Sequence, residues 1–361
     1  MRDKRWFQLL VGAVLVFTLI LLISKTSFVF EPAMKYINAV AVPFIGAGIL
    51  FYLTKPVMHF FEKFKIPRIP AILLVFLLIA ALMTLFILYI FPIAQRQFEN
   101  LIANIPKMVK SSQDFLVLLQ SYDIVIPEQI DEAIDQFMSN IQTYIENTMS
   151  YLFGFIANLI TFVASLFLIP FFLFFMLKDS HKFIPFITQG FNKKRADNIR
   201  ELLEKIDETL TAFIQGQLIV SFILGVLLFI AYLLIDLNYA LTLALFALVM
   251  NVIPFVGPLL AVVPALIVGA FQDPMMVVWV ALVTLIVQQI ESNLISPNVM
   301  GRVLALHPLT VITVILAAGS IAGFLGILFA VPAYAVIKTI YVHFYHMYQN
   351  NKKENKAEAT T

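Results

Sequence analysis

The feature that most constrains this chain is a series of long apolar segments that contain no charged residue. The cleanest is Ile69–Phe91, 23 residues without Lys, Arg, Asp or Glu, or about 34 Å of helix at ~1.5 Å per residue. A bilayer core is crossed by about 20 helical residues, so a segment of this length predicts a transmembrane helix. The chain is therefore predicted to be an all-α, polytopic membrane protein.

The same reasoning predicts about eight spans in all. Single spans are expected near Trp6–Ile23, Tyr36–Leu53, Tyr151–Leu177, Thr211–Ile235 and Met275–Ile290. Asn238–Gln272 and Val303–Ile337 are each 35 residues long without a charge, but Gly and Pro interrupt both. Each of these two segments is either a pair of closely spaced helices or one span followed by a re-entrant hairpin.

Composition and charge give the class and the orientation. Hydrophobic residues make up 61% of the chain and charged residues 13%, which excludes an ordinary soluble domain. The absence of cysteine excludes disulfides and thiolate metal sites. Of the 24 Lys and Arg, 19 fall in segments 1–5, 54–68, 178–210, 291–302 and 338–361. The positive-inside rule places these segments, and hence both termini, in the cytoplasm.

Four regions follow from this layout. Residues 1–91 form an N-terminal membrane region of three spans, and residues 92–150 an extracytoplasmic amphipathic helical segment. Residues 151–345 form a C-terminal transport core with a cytoplasmic loop at 178–210, and residues 346–361 a disordered cytoplasmic tail.

Several kinds of chemistry have no signature in the sequence. There is no phosphate-binding G-x-x-x-x-G-K-[ST] loop, no dinucleotide fingerprint and no zinc-protease or serine-hydrolase motif. His343 and His346 lack a third ligand, so no metal site and no cofactor are expected. The basic triplet Lys193–Arg195 is followed by acidic residues without aromatic interleaving, which argues against nucleic-acid binding. The chain is predicted not to be an enzyme.

A polar block near residue 290 is the strongest candidate for a binding site. If the helix continues through Ile295, then Gln288, Glu291 and Ile295 share one face. Gln289 and Asn293 form a neighbouring stripe, with Asn298 close by. An acidic residue inside a membrane signals function by default. The alternative is an ordinary cytoplasmic helix end at which Glu291 pairs with Arg302.

Helix breakers mark a second candidate region around Asn251. Pro254, Gly257 and Pro258 leave backbone carbonyls without helical donors, which is typical either of a discontinuous helix at a binding site or of a tight interhelical turn. Gln215 and Gln217 place two amides in the membrane, where interhelical hydrogen bonding is the first interpretation and solute contact the second. Further breaks are expected at Pro297, Gly301, Gly323, Gly326 and Pro332.

These motifs together resemble a known family. Its pattern is matched by Phe213–Gln217, Ile253–Pro258, Glu291–Gly301 with Leu306–Leu309, and Gly323–Gly326 leading to Val331-Pro332. In order and spacing they resemble the autoinducer-2 exporter family of bacterial membrane permeases. The resemblance implies an all-helical secondary carrier in the bacterial plasma (inner) membrane. It leaves open whether the chain exports a signal molecule or exchanges sodium or lithium for protons.

The sequence thus predicts a permease that exports a small polar solute. A sodium(lithium)/proton antiporter with Glu291 as titrating group is the first alternative. A non-transporting oligomeric scaffold that binds partners through its outer segment is the second. The expected partners are the lipid bilayer, a small polar solute or a monovalent cation and proton, and further copies of the chain in a homo-oligomer.

Overall fold

The computed structural model describes residues 5–101, 103–104, 168–300 and 307–358, and every regular element within these ranges is helical. The α-helices are α1 (Arg5–Lys25), α2 (Ser27–Lys63), α3 (Arg68–Leu85), α4 (Leu168–Thr188), α5 (Lys193–Leu234), α6 (Ala240–Met250), α7 (Val256–Gln272), α8 (Pro274–Ile290), α9 (Ser296–Met300) and α10 (Pro308–Glu358). Two π-turns, Phe86–Ile90 and Glu291–Ile295, continue α3 and α8 without a break in the helix.

Five helical segments in the described part of the chain are long and apolar enough to cross a bilayer. They are Ala39–Lys63, Arg68–Leu101, Lys193–Leu234, Met275–Met300 and Gly326–Gln349. The prediction of an all-α polytopic membrane protein is therefore confirmed. Most of the predicted outer segment (92–150) and the start of the predicted fourth span (151–167) lie outside the described residues, as do residues 301–306.

The chain divides into two compact units. The first comprises residues 1–51 and 156–176. Its packing includes an edge-to-face pair between Phe44 of α2 and Phe172 of α4, with ring centroids 5.9 Å apart. Ala47, one turn after Phe44, is fully buried.

The second unit comprises residues 52–155 and 177–361, and α5 is its central helix. The buried residues of α5 recur at three- and four-residue spacing, from Phe213 through Val220, Leu224 and Leu228 to Tyr232. Helices α6, α8, α9 and α10 all pack against α5. Because these four helices all contact α5, α5 holds in place the elements that carry the candidate site.

The segment 238–272 forms two short helices rather than two full spans. Helix α6 has 11 residues and α7 has 17, so they are about 16 Å and 26 Å long at ~1.5 Å per residue. Both are shorter than the ~30 Å of a hydrocarbon core. They pack against each other across the turn at residues 251–255. The segment thus folds as a closely packed pair of short helices.

Helix α10 is broken where the sequence predicts a glycine break. Ala322 and Gly323 have non-helical dihedral angles, and Gly323 takes φ +58°, a conformation that favours glycine. Gly326 lies so close to the carbonyl of Ala318 that a Cβ atom there would overlap it. The segment Leu309–Gly323 therefore packs tightly against the second part of α10, Gly326–Gln349. Close helix packing accounts for the glycines at 323 and 326.

Both π-turns occur at the same distance before a proline. The turn Phe86–Ile90 precedes Pro92, and Glu291–Ile295 precedes Pro297. In each case the amide just before the proline donates to a carbonyl five residues back, Phe91 to Phe86 and Ser296 to Glu291. Proline lacks an N–H and its ring clashes with the carbonyl four residues back. The switch to five-residue bonds lets the helix continue through the proline.

Candidate functional site

A cavity of about 910 Å³ lies in the second unit, where the broken helices meet. Its walls come from α5, from the α6–α7 turn with α7, from α8 with its π-turn and α9, and from α10. Seven polar residues line it: Gln217, Asn251, Thr284, Gln288, Glu291, Ser292 and Ser296. The remaining lining residues are apolar.

Asn251 closes α6 and is 2% exposed. Its backbone carbonyl accepts a hydrogen bond from the side-chain Nε2 of Gln217 at 2.6 Å. Its own side-chain Oδ1 and Nδ2 are buried and have no hydrogen-bond partner. A buried unpaired amide costs about 1–3 kcal/mol, so the unpaired amide of this lining residue calls for an explanation, and a ligand in the cavity would supply one.

The turn that holds Asn251 is tight. Phe255 has φ +63°, the left-handed region that bulky residues rarely adopt, and it lines the cavity. A Cβ atom on Gly257 would overlap the carbonyl of Met250. Backbone and side chain are thus fixed together at this end of the cavity, as is common where strain is kept at a functional site.

Glu291 and Ser296 meet through the second π-turn. The Ser296 hydroxyl donates to Glu291 Oε1 at 2.9 Å, across five residues. In a regular α-helix these two side chains would point about 140° apart. The expectation that Ile295 shares the face of Gln288 and Glu291 is wrong, because it assumed a regular helix. Ile295 instead packs against the core around α5.

Gln288 remains on the cavity side with Glu291, as the sequence predicts. The other amides of this block lie elsewhere. Asn293 donates to the backbone and side-chain oxygens of Gln289 at 2.9 and 3.0 Å, which confirms their shared stripe, and both are exposed. Asn298 donates to the Leu294 carbonyl and is also exposed. None of these three lines the cavity.

Gln215 has a role that its sequence neighbourhood does not reveal. Its Nε2 donates to the carbonyl of Tyr52 in α2 at 2.6 Å. In a regular helix that carbonyl would bond to the N–H of residue 56, but residue 56 is proline. Gln215 and Gln217 therefore each bond a backbone carbonyl of a neighbouring element, and interhelical hydrogen bonding, the first interpretation, is confirmed.

The predicted helix breakers differ in where they fall. Pro254 lies in the α6–α7 turn, whereas Pro258 is in the first turn of α7, where a missing N–H costs little. Pro297 is the second residue of α9, and Pro332 is buried within α10. Gly301 lies outside the described residues.

Three polar lining residues, Thr284, Ser292 and Ser296, were not singled out from the sequence. Thr284 is one turn before Gln288 and two turns before Glu291, so the three form a helical stripe that was available in the sequence. Ser296 joins them only through the π-turn, whose sequence signal is Pro297. Among the described residues that line the cavity, Glu291 is the single charged one, and none is Lys or Arg.

Comparison with known proteins gives consistent matches over nearly the whole chain. Residues 13–346 match the sequence model described as AI-2E family transporter. YueF of Bacillus subtilis (strain 168), which bears a provisional transport-protein name, is 34% identical over 352 residues, covering 95% of this chain and 94% of YueF. The AI-2 transport protein TqsA of Escherichia coli (strain K12) is 22% identical over 312 residues, covering 84% of this chain and 86% of TqsA.

Proposed function

Because the chain belongs to the AI-2E family of transporters, we propose that it is a secondary carrier that exports a small polar solute across the bacterial inner membrane. Both termini lie in the cytoplasm in this proposal, as the distribution of Lys and Arg favours. The solute binds in the cavity between α5, α7, α8 and α10.

The observation that carries this proposal is the unpaired amide of Asn251 in a cavity lined by two broken helical segments. Discontinuous helices frame the binding sites of many secondary transporters, since their interrupted ends offer polar groups at membrane depth. The carboxylate of Glu291 and the hydroxyl of Ser296 add an acceptor and a donor to the same cavity.

A second candidate function, exchange of sodium or lithium for protons, is favoured by one feature. Glu291 is the single charged residue among the described residues of the cavity wall, and a lone carboxylate can bind either a proton or a cation. The two functions differ in what crosses the membrane, so one assay separates them.

The test is flux into proteoliposomes with an imposed pH gradient. Lithium, sodium and small sugar-like solutes are offered in turn, with protein-free liposomes as the blank. Uptake of a sugar-like solute above the blank supports the carrier proposal, and cation uptake coupled to proton movement supports the antiporter. Flux equal to the blank for every solute would contradict both.

A further inference from the structure

The cavity is larger and more apolar than a small polar solute requires. Its volume of about 910 Å³ is near the upper end of the ~300–1,000 Å³ typical of small-molecule pockets. At ~30 Å³ per molecule, it equals the liquid volume of about thirty waters. A dehydrated monovalent cation or a short polyol would leave most of this space to water against apolar walls.

Most of the wall offers only apolar contact. Six of the apolar lining residues lie on α5, α7 and α8: Val220, Leu224, Leu259, Val262, Leu266 and Leu285. Val220 and Leu224 also belong to the buried core, so this part of the wall is rigid. Apolar surface of this kind is favourably covered by an apolar part of a ligand, which removes both surfaces from water.

The polar groups of the cavity set a second requirement. Asn251 lines the cavity and neither polar atom of its side chain has a partner, so a side chain turned toward a ligand would offer it one donor and one acceptor. Glu291 accepts from Ser296 through Oε1, and a carboxylate has further acceptor sites. With no Lys or Arg among the described lining residues, this wall favours a positive or neutral group over an anion.

We infer that the cavity takes a small amphipathic solute, with a donor-rich, non-anionic polar end at Asn251 and Glu291 and an apolar end against the α5, α7 and α8 wall. The inference rests on the proposed function, since it names the class of solute that the carrier would move. It adds the requirement for an apolar part.

The experiment measures binding of radiolabelled probes to the full chain in lipid nanodiscs, with empty nanodiscs subtracted. The probes are 2-phenylethylamine, 2-phenylethanol and phenylacetate, which share a ring and differ in the charge of the polar end. Ethanolamine has a cationic end without the ring. We expect 2-phenylethylamine to bind at least tenfold more tightly than both ethanolamine and phenylacetate, because the first lacks the apolar part and the second is an anion.

Two adjacent positions on α7 give a matched pair of variants. Val262 lines the cavity, whereas Val263 is half exposed and does not. Val262→Phe fills apolar space and should weaken 2-phenylethylamine binding at least fivefold. Val263→Phe adds the same side chain outside the cavity and should change binding less than twofold.

Asn251→Leu tests the polar end. The hydrogen bond from Gln217 uses the backbone carbonyl of Asn251, so this substitution leaves it in place. The variant should keep or raise the thermal unfolding midpoint, because it removes a buried unpaired amide, while losing at least fivefold in affinity for 2-phenylethylamine. If the Asn251→Leu variant unfolds instead, the comparison of Val262→Phe with Val263→Phe tests whether 2-phenylethylamine binds in the cavity.

The inference is overturned by equal affinities for 2-phenylethylamine and ethanolamine, by tightest binding of phenylacetate, or by equal effects of the two phenylalanine substitutions. A phospholipid could instead occupy the cavity. In that case none of the probes binds, and a phospholipid that co-purifies with the parent chain is lost from the Val262→Phe variant. That result would also overturn the inference. Binding of 2-phenylethylamine without proteoliposome flux of it, or of the cations and sugar-like solutes, would contradict only the proposed function. Flux of a purely polar solute without amphiphile binding would contradict only this inference.

Discussion

At the level of single residues, Glu291 is the side chain whose substitution best separates a solute carrier from a cation/proton antiporter. Its carboxylate is held by Ser296 on the cavity wall. Carboxylates inside a membrane are rare because their insertion costs about 2.5–3.5 kcal/mol at mid-membrane, and they are retained mostly for function. An alternative role, an ion pair with Arg302 at the cytoplasmic surface, involves a residue outside the described ranges.

Glu291→Gln separates these roles. The glutamine keeps an oxygen that can accept the Ser296 hydrogen bond, but it cannot exchange a proton for a cation. We expect the variant to insert and fold and to lose the pH dependence of flux in proteoliposomes, whereas Glu291→Asp keeps part of it. If Glu291 only pairs at the surface, the change costs at most about 1 kcal/mol of stability. Wild-type pH dependence would then remove Glu291 from the mechanism.

Gln217 and Gln215 have structural roles that a melting experiment can measure. Gln217→Leu and Gln215→Leu each remove the donor to a backbone carbonyl, of Asn251 and Tyr52 respectively. Interhelical hydrogen bonds in membrane proteins average about 0.6 kcal/mol and reach about 1.7, so both variants should unfold at lower temperature. The measurement is the circular-dichroism melting midpoint in detergent micelles.

Gln289→Leu is the matched control for these two variants. Gln289 is exposed and bonds only within its own helix, to Asn293, so its melting midpoint should stay near that of the parent chain. A Gln217→Leu variant that melts at the parent temperature would show that the bond to Asn251 does not stabilise the α6–α7 turn.

At the level of helices, the second π-turn determines which side chains face the cavity. One extra residue in a helical turn rotates everything after it by about 100°. This rotation brings Ser296 to Glu291 and Met300 to Gly216, where the Cα of Met300 lies 3.7 Å from the position of a Cβ on residue 216. Pro297 explains the turn, as Pro92 explains the first one.

Pro297→Ala should therefore restore a regular helix and rotate α9 away. In a chain without native cysteine, Gly216→Cys and Met300→Cys report the change, because a disulfide needs Cβ atoms about 3.5–4.5 Å apart. We expect oxidation to cross-link this pair with Pro297 present, and the cross-linked fraction to fall severalfold with Pro297→Ala. Equal cross-linking in both backgrounds would show that the proline does not cause the π-turn.

The sequence predicts some parts of the fold and of the candidate site, but not others. Uncharged length predicts the spans, and Gly323 and Pro254 mark real breaks, because these signals are local. The register after Glu291 is not predicted by an α-helical period, since Pro297 changes the period. The bond between Gln215 and Tyr52 joins residues 163 positions apart, so no local pattern indicates which carbonyl that amide completes.

At the scale of the whole molecule, the distribution of positive charge predicts the topology. The native chain lacks cysteine, so single substitutions give a clean labelling background. A cysteine at position 139, replacing Ser139 of the predicted outer segment, should react with an impermeant maleimide on intact cells. A cysteine in place of Thr360, in the predicted cytoplasmic tail, should react only after the membrane is opened. Labelling of position 360 from outside would invert the orientation.

Transport is proposed to pass through the cavity between α5, α7, α8 and α10. Its walls include the α6–α7 turn and the second π-turn, two places where the regular α-helical hydrogen-bond pattern changes. If the cavity is the path of the solute, blocking it should stop flux without unfolding the protein, and modifying a neighbouring position outside it should not.

Ser292→Cys and Asn293→Cys make that comparison most directly. Both side chains are exposed and adjacent in sequence, but only Ser292 lines the cavity. The measurement is proteoliposome flux, before and after treatment with a bulky maleimide, of whichever solute the parent chain carries. We predict that modification abolishes flux through the Ser292→Cys protein and leaves most of the flux through the Asn293→Cys protein. Undiminished flux through fully modified Ser292→Cys would contradict transport through this cavity.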